Sequence, residues 1–120
     1  MSKILIVDDL PTGLQLMNSL VGNMGHATLL ASDGEQALEM TRKEKPDLVL
    51  LDVVLPRMDG FQVCRKIKKD PQTAAIPVVL VTSKSQESDR FWGFKQGACA
   101  YLCKPFSPEE LADTVRKHLH

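Results

Sequence analysis

The sequence predicts an α/β domain: a parallel sheet with helices on both faces. Three observations lead there. Short, continuous apolar runs recur along the chain, stretches with helical spacing separate them, and the two kinds of segment alternate from start to end. The runs are Lys3–Val7, Ala27–Ala31, Asp47–Leu51, Pro77–Val81 and Ala100–Cys103, of which Ala27–Ala31 and Ala100–Cys103 are the weaker. Consecutive Val, Leu and Ile over so few residues suit strands buried on both faces, and they are too short for buried helices.

Between the runs, apolar residues fall on helical stripes. Leu14, Met17, Leu20, Val21 and Met24 share the first, which Gly25 stops. Ala37, Leu38 and Thr41 share the second, stopped by Lys45-Pro46. Phe61, Cys64 and Ile67 share the third, entered through Asp59 as cap and Gly60. Phe91 and Phe94, with Trp92 read as partly buried beside them, form the fourth, which ends at Gly97. Leu111, Val115 and Leu119 form the fifth, a helix expected to start at Ser107-Pro108, with Glu110 closing a capping box, and to run to His120. Right-handed crossovers leave few topologies for five such repeats. The expected one is a doubly wound, flavodoxin-like (βα)5 sheet of strand order 2-1-3-4-5, in one domain over residues 1–120 with no output domain.

Composition narrows the function. The chain has 120 residues, 43% apolar and 25% charged, the balance of an ordinary folded domain. Fifteen Lys and Arg against fifteen Asp and Glu give a net charge of zero, so no overall positive field favours nucleic acid. No apolar run approaches the ~18 residues that span a bilayer, and Met1-Ser2-Lys3 leads into a run too short for a secretory signal. Three cysteines, an odd number without metal-like clustering, point to a reducing, cytoplasmic setting.

In a doubly wound sheet, ligands meet the carboxyl ends of the strands. Those ends carry Asp8-Asp9, Asp52, Thr82-Ser83 and Lys104-Pro105, with Ser32-Asp33 farther from the centre. Three carboxylates at one edge repel one another, at roughly 3 kcal/mol per pair for ~5 Å and an effective dielectric of ~20. A hard divalent cation such as Mg²⁺ relieves that repulsion through oxygen ligands. An acid to receive a phosphoryl group, a cation to neutralise it and an ammonium as counter-charge are the parts of phosphoryl transfer to a carboxylate.

In this order and spacing, Ile4-Leu5-Ile6-Val7-Asp8-Asp9, Leu50 through Gly60, Val81-Thr82-Ser83, Gly97-Ala98 and Tyr101 through Phe106 resemble the receiver domains of two-component response regulators. The resemblance covers the whole chain. It implies Asp52 as phosphoacceptor, and Asp9, Asp52 and the Val54 carbonyl as direct ligands of Mg²⁺, with Mn²⁺ as a substitute. It implies that Asp8 acts through a metal-bound water. Lys104 pairs with Asp52 and then with its phosphate, the Thr82 hydroxyl bonds a phosphoryl oxygen, and the Lys104-Pro105 bond is cis. Tyr101 is the aromatic switch that turns inward as Thr82 moves. Val54 and Lys84 hold positions that tune the phosphoryl lifetime. The readout face is the fourth helix, fifth strand and fifth helix, with Arg90, Tyr101, Cys103 and Phe106 as contacts. A sensor histidine kinase of the CheA type is the implied donor, and a motility or signalling protein the target. Ser88 through Ala98, with Trp92-Gly93 before Gln96-Gly97-Ala98, resembles stand-alone receivers of type IV pilus chemosensory systems. A flagellar regulator, a phosphate sink and a phosphorelay carrier remain open.

Other classes fit less well. A flavin protein needs a phosphate loop where Asp8-Asp9 stand, and neither glycine-rich nucleotide motif occurs. An aspartate-nucleophile phosphatase of the haloacid dehalogenase type needs an acid where Val54 stands, so the protein is expected to catalyse only its own phosphorylation and dephosphorylation. Arg65, Lys66, Lys68 and Lys69 read as a solvated face, Cys64, Cys99 and Cys103 as small packing residues, and His26, His118 and His120 as scattered.

Overall fold

The computed structural model describes residues 2–119, and the end of the chain at His120, to which the last helix was expected to run, lies outside them. Five strands and five helices alternate: β1 (Lys3–Val7), α1 (Pro11–Asn23), β2 (Ala27–Ala31), α2 (Gly34–Glu44), β3 (Leu48–Leu51), α3 (Gly60–Lys69), β4 (Val78–Thr82), α4 (Glu87–Lys95), β5 (Ala100–Cys103) and α5 (Pro108–His118). All strand pairs are parallel, in the order β2-β1-β3-β4-β5 that the alternation predicts.

The strands alternate their side chains between two cores. Ile4, Ile6, Leu48, Leu50, Val79 and Val81 face one way and pack against Met17 and Val21 of α1 and Leu111 and Val115 of α5. Leu5, Val7, Val49, Leu51, Val78 and Leu80 face the other way, toward Ala37 and Leu38 of α2 and Val63, Cys64 and Ile67 of α3. This double burial is why the central strands read as unbroken apolar runs. The edge strand β2 is only partly covered, which weakens its signal.

Local chemistry sets the helix ends. Ser107 and Glu110 form the expected capping box of α5, and Asp59 and Gln62 form one at α3. Gly25 and Gly97 follow their helices at φ 91° and 102°, and Lys45 ends α2 at φ 47°. A side chain at Gly60 would overlap the Asp52 carbonyl, so glycine alone lets α3 start against the end of β3.

Helix α4 corrects the sequence reading. Phe91, Trp92 and Phe94 are 64%, 50% and 48% exposed, and the one buried residue of the helix is Gly93. A methyl group at Gly93 would stand 2.8 Å from Leu80 Cδ1 and 3.0 Å from Tyr101 Cδ2. The helix therefore packs through its glycine, and its aromatic residues turn outward. Two smaller expectations also change. Cys99 is exposed rather than packed. Lys68 is only partly solvated: its ammonium donates to the carbonyls of Ala74 and Ile76 and so holds the loop before β4.

Candidate phosphoacceptor site

The carboxyl ends of β1, β3 and β5 bring Asp8, Asp52 and Lys104 together. The Lys104 ammonium donates to Asp8 Oδ2 at 2.8 Å and to Asp52 Oδ2 at 3.0 Å. Both acids are buried, and Lys104 keeps 23% of its side chain in solvent. The second oxygen of each acid is held by the main chain: the Leu10 N–H donates to Asp8 Oδ1 at 2.9 Å and the Val54 N–H to Asp52 Oδ1 at 3.0 Å. Each donor lies two residues beyond its acid, so strand and turn together aim the carboxylate. Among the described residues, no buried side-chain polar atom lacks a partner.

The charges do not balance. Two carboxylates against one ammonium leave a negative charge in a buried place. Burial pulls the Lys104 pKa down, but the hydrogen bonds that its ammonium donates to Asp8 and Asp52 outweigh it and raise the pKa above the usual lysine value. Lysine is therefore charged throughout the physiological range. The sequence reading paired Lys104 with Asp52 alone, and the contact with Asp8 is an addition to it.

Asp9 is exposed at the rim, as is Val54. Among the described residues, no three acid, histidine or cysteine side chains form a ready-made metal-ligating group. The carboxylate oxygens of Asp8 and Asp52 are nonetheless hard donors, which suit a cation such as Mg²⁺.

Thr82 ends β4 fully buried, and its hydroxyl accepts the Lys84 N–H at 3.3 Å. Tyr101 is turned inward, 6% exposed, with its phenol donating to the Lys84 carbonyl at 2.6 Å. Burial, and then the Asp89 charge, push its pKa up to about 12. Arg90 lies 5.5 Å over the Tyr101 ring and donates to Cys103 Sγ at 3.2 Å. Three of the four expected contact residues thus form one cluster. Phe106 is not part of it, because it packs against the core under α1 and α5. The Lys104-Pro105 bond is cis, as expected.

The profile of the response regulator receiver domain matches residues 4–116. The chain belongs to this family. Protein PilH of Pseudomonas aeruginosa is 46% identical over 115 residues, which cover 96% of this chain and 95% of PilH. The chain spans less than half the length of several other curated relatives. Among solved structures, the Vibrio cholerae chemotaxis response regulator CheY4 superposes with a TM-score of 0.93 at 30% identity, covering 99% of both chains. The receiver domain of the P. aeruginosa sensor kinase PA1611, solved with magnesium in its active-site cleft, gives a TM-score of 0.90 at 27% identity, with 98% of this chain and 96% of that one covered.

Sequence reasoning missed two glycines that shape the receiver. Gly93 seats α4 on Tyr101, and Gly13 lies against the Asp8 carboxylate. The available signal was glycine inside a helix, which costs about 1 kcal/mol relative to alanine and so asks for a spatial reason.

Proposed function

We propose that this receiver accepts one phosphoryl group on Asp52 from the phosphohistidine of a CheA-type sensor kinase and signals the change to a partner protein through α4, β5 and α5. The carrying observation is the buried Asp8–Lys104–Asp52 arrangement at the carboxyl edge of the sheet. An Asp52 carboxylate oxygen attacks phosphorus, the P–N bond breaks, and its electron pair stays on the donor imidazole. Lys104, already within hydrogen-bond distance of Asp52, offsets charge on the phosphoryl oxygens. The Thr82 hydroxyl, at the end of the neighbouring strand, is the proposed donor to one of them. Bound Mg²⁺, held by Asp9, Asp52 and the Val54 carbonyl with Asp8 acting through water, would supply the remaining positive charge. Hydrolysis of the acyl phosphate resets the domain, so the protein turns over no external substrate.

Thr82 and Tyr101 couple this event to the readout. Both bond to Lys84, one through its N–H and the other through its carbonyl, so a shift of Thr82 toward a phosphate disturbs the segment that holds the phenol. Differential contacts of ~2–4 kcal/mol would change the equilibrium between arrangements roughly 30- to 1000-fold. The near full-length similarity to PilH supports a stand-alone role in a pilus or chemosensory pathway. Among the described residues, no helix is long and apolar enough to cross a membrane, and the cysteines are free thiols, in keeping with a cytoplasmic role.

Incubation with acetyl phosphate and Mg²⁺, followed by intact mass, tests the reading. Wild type gains one phosphoryl group, while Asp52→Asn and chelated samples gain none. Equal labelling of Asp52→Asn overturns the assignment.

A further inference from the structure

Gly13 is the third residue of α1, and it is not one of the glycines at positive φ, so its backbone does not require glycine. Space does. A methyl group at position 13 would overlap Asp8 Oδ2, approach Asp8 Cγ to 3.2 Å and stand 3.5 Å from Lys104 Nζ. The Asp8 carboxylate therefore lies in the volume that a side chain at 13 would fill, and there it receives the ammonium at 2.8 Å. A cavity of about 160 Å³ lined by Gly13, Leu16, Met17, Lys104, Pro105 and Phe106 opens on the same side of the lysine. Gly22, in the same helix, has no neighbour within 4 Å of a would-be methyl group, so the constraint belongs to position 13 and not to α1.

We propose that Gly13 is a positioning residue: its missing side chain seats Asp8 against Lys104, making the ammonium the resting counter-ion of both buried acids and holding the affinity for Mg²⁺ down. The consequence for Mg²⁺ rests on the cofactor reading above; the seat itself does not. With the seat present, an arriving cation meets carboxylates already neutralised in part by Lys104. With a methyl group at 13, Asp8 must rotate away, the 2.8 Å contact is lost, and an uncompensated charge is left for the metal.

Two measurements separate these claims. In metal-free melting with chelator, Gly22→Ala melts above wild type through helix propensity, whereas Gly13→Ala melts below it. In an Asp8→Ala background the Gly13→Ala change raises the melting temperature instead, because the overlapping carboxylate is gone. A rise for Gly13→Ala with Asp8 present, or a fall that persists without Asp8, overturns the seat. In calorimetric titration with MgCl₂, Gly13→Ala binds at least about threefold tighter than wild type and Gly22→Ala binds equally. Equal or weaker binding by Gly13→Ala overturns the effect on affinity. Absence of Mg²⁺ binding by wild type overturns the cofactor reading and this consequence together, while the melting experiment still decides the seat.

Discussion

The two ends of this domain's working surface are built in opposite ways. At the acid rim, both oxygens of Asp8 and of Asp52 are held, by Lys104 just past the end of β5 and by main-chain N–H groups in the turns that follow β1 and β3. On α4, one glycine makes the buried contact and three aromatic side chains point outward. The first region fixes atoms for chemistry. The second has little apolar surface tying it down, so its position is set by what stands beneath it, chiefly Tyr101 and Leu80. Chemistry needs groups held at fixed distances, whereas a readout surface needs a small gap between two arrangements.

The largest expected effect lies at the rim. Lys104→Met removes the ammonium from two buried carboxylates, and urea unfolding at neutral pH in chelator should show a loss of about 2–4 kcal/mol. A loss near zero would mean that the acids do not depend on the lysine, and the contrast between the regions would weaken.

At the junction of the two regions, Gly93→Ala places a methyl group 2.8 Å from Leu80 and 3.0 Å from Tyr101. Overpacking of roughly 1–3 kcal/mol outweighs the helix-propensity gain of about 1 kcal/mol, so urea unfolding should show a modest net loss. The same variant should loosen Tyr101. The protein has one tyrosine, so its ionisation can be followed by ultraviolet absorbance alone. In wild type the phenol should titrate near 12, and in Gly93→Ala closer to the ordinary value of about 10. The sign for stability follows. Between about pH 10 and pH 12 the unfolded chain has lost the phenolic proton and the folded one retains it, so wild-type stability falls as pH rises through that window. Titration of the wild-type phenol near 10 would contradict the buried, inward ring.

The smallest effect belongs to the outer face. Phe94→Ser, at a side chain 48% exposed, should change stability by no more than about 0.5 kcal/mol in the same unfolding assay. A loss of several kcal/mol would show that α4 is held through its aromatic side.

Most of the fold was legible because the central strands β1, β3 and β4 are buried on both faces, which leaves runs of Val, Leu and Ile, and because Ser107, Asp59, Gly25 and Gly97 mark helix ends by local chemistry. The composition of the acid rim was legible too, since strand ends converge in any sheet of this kind. Helix α4 was not. Reading apolar stripes assumes that the largest side chains make the contact, and here the spacing between α4 and Tyr101 admits only glycine. The seating of Asp8 by Gly13 was hidden for the same reason: which residue must be small depends on a neighbour from a distant segment of the chain. Lys68 escaped notice because a lysine serving as a loop clamp looks, in sequence, like one in water.

The central claim is that Asp52 itself carries the phosphoryl group. After acetyl phosphate and Mg²⁺ treatment, borohydride reduction of the acyl phosphate followed by peptide mapping places the modification directly. Reduction at residue 52, absent from untreated protein, is the predicted result. Reduction at Asp8 or Asp9 with residue 52 unchanged would contradict it.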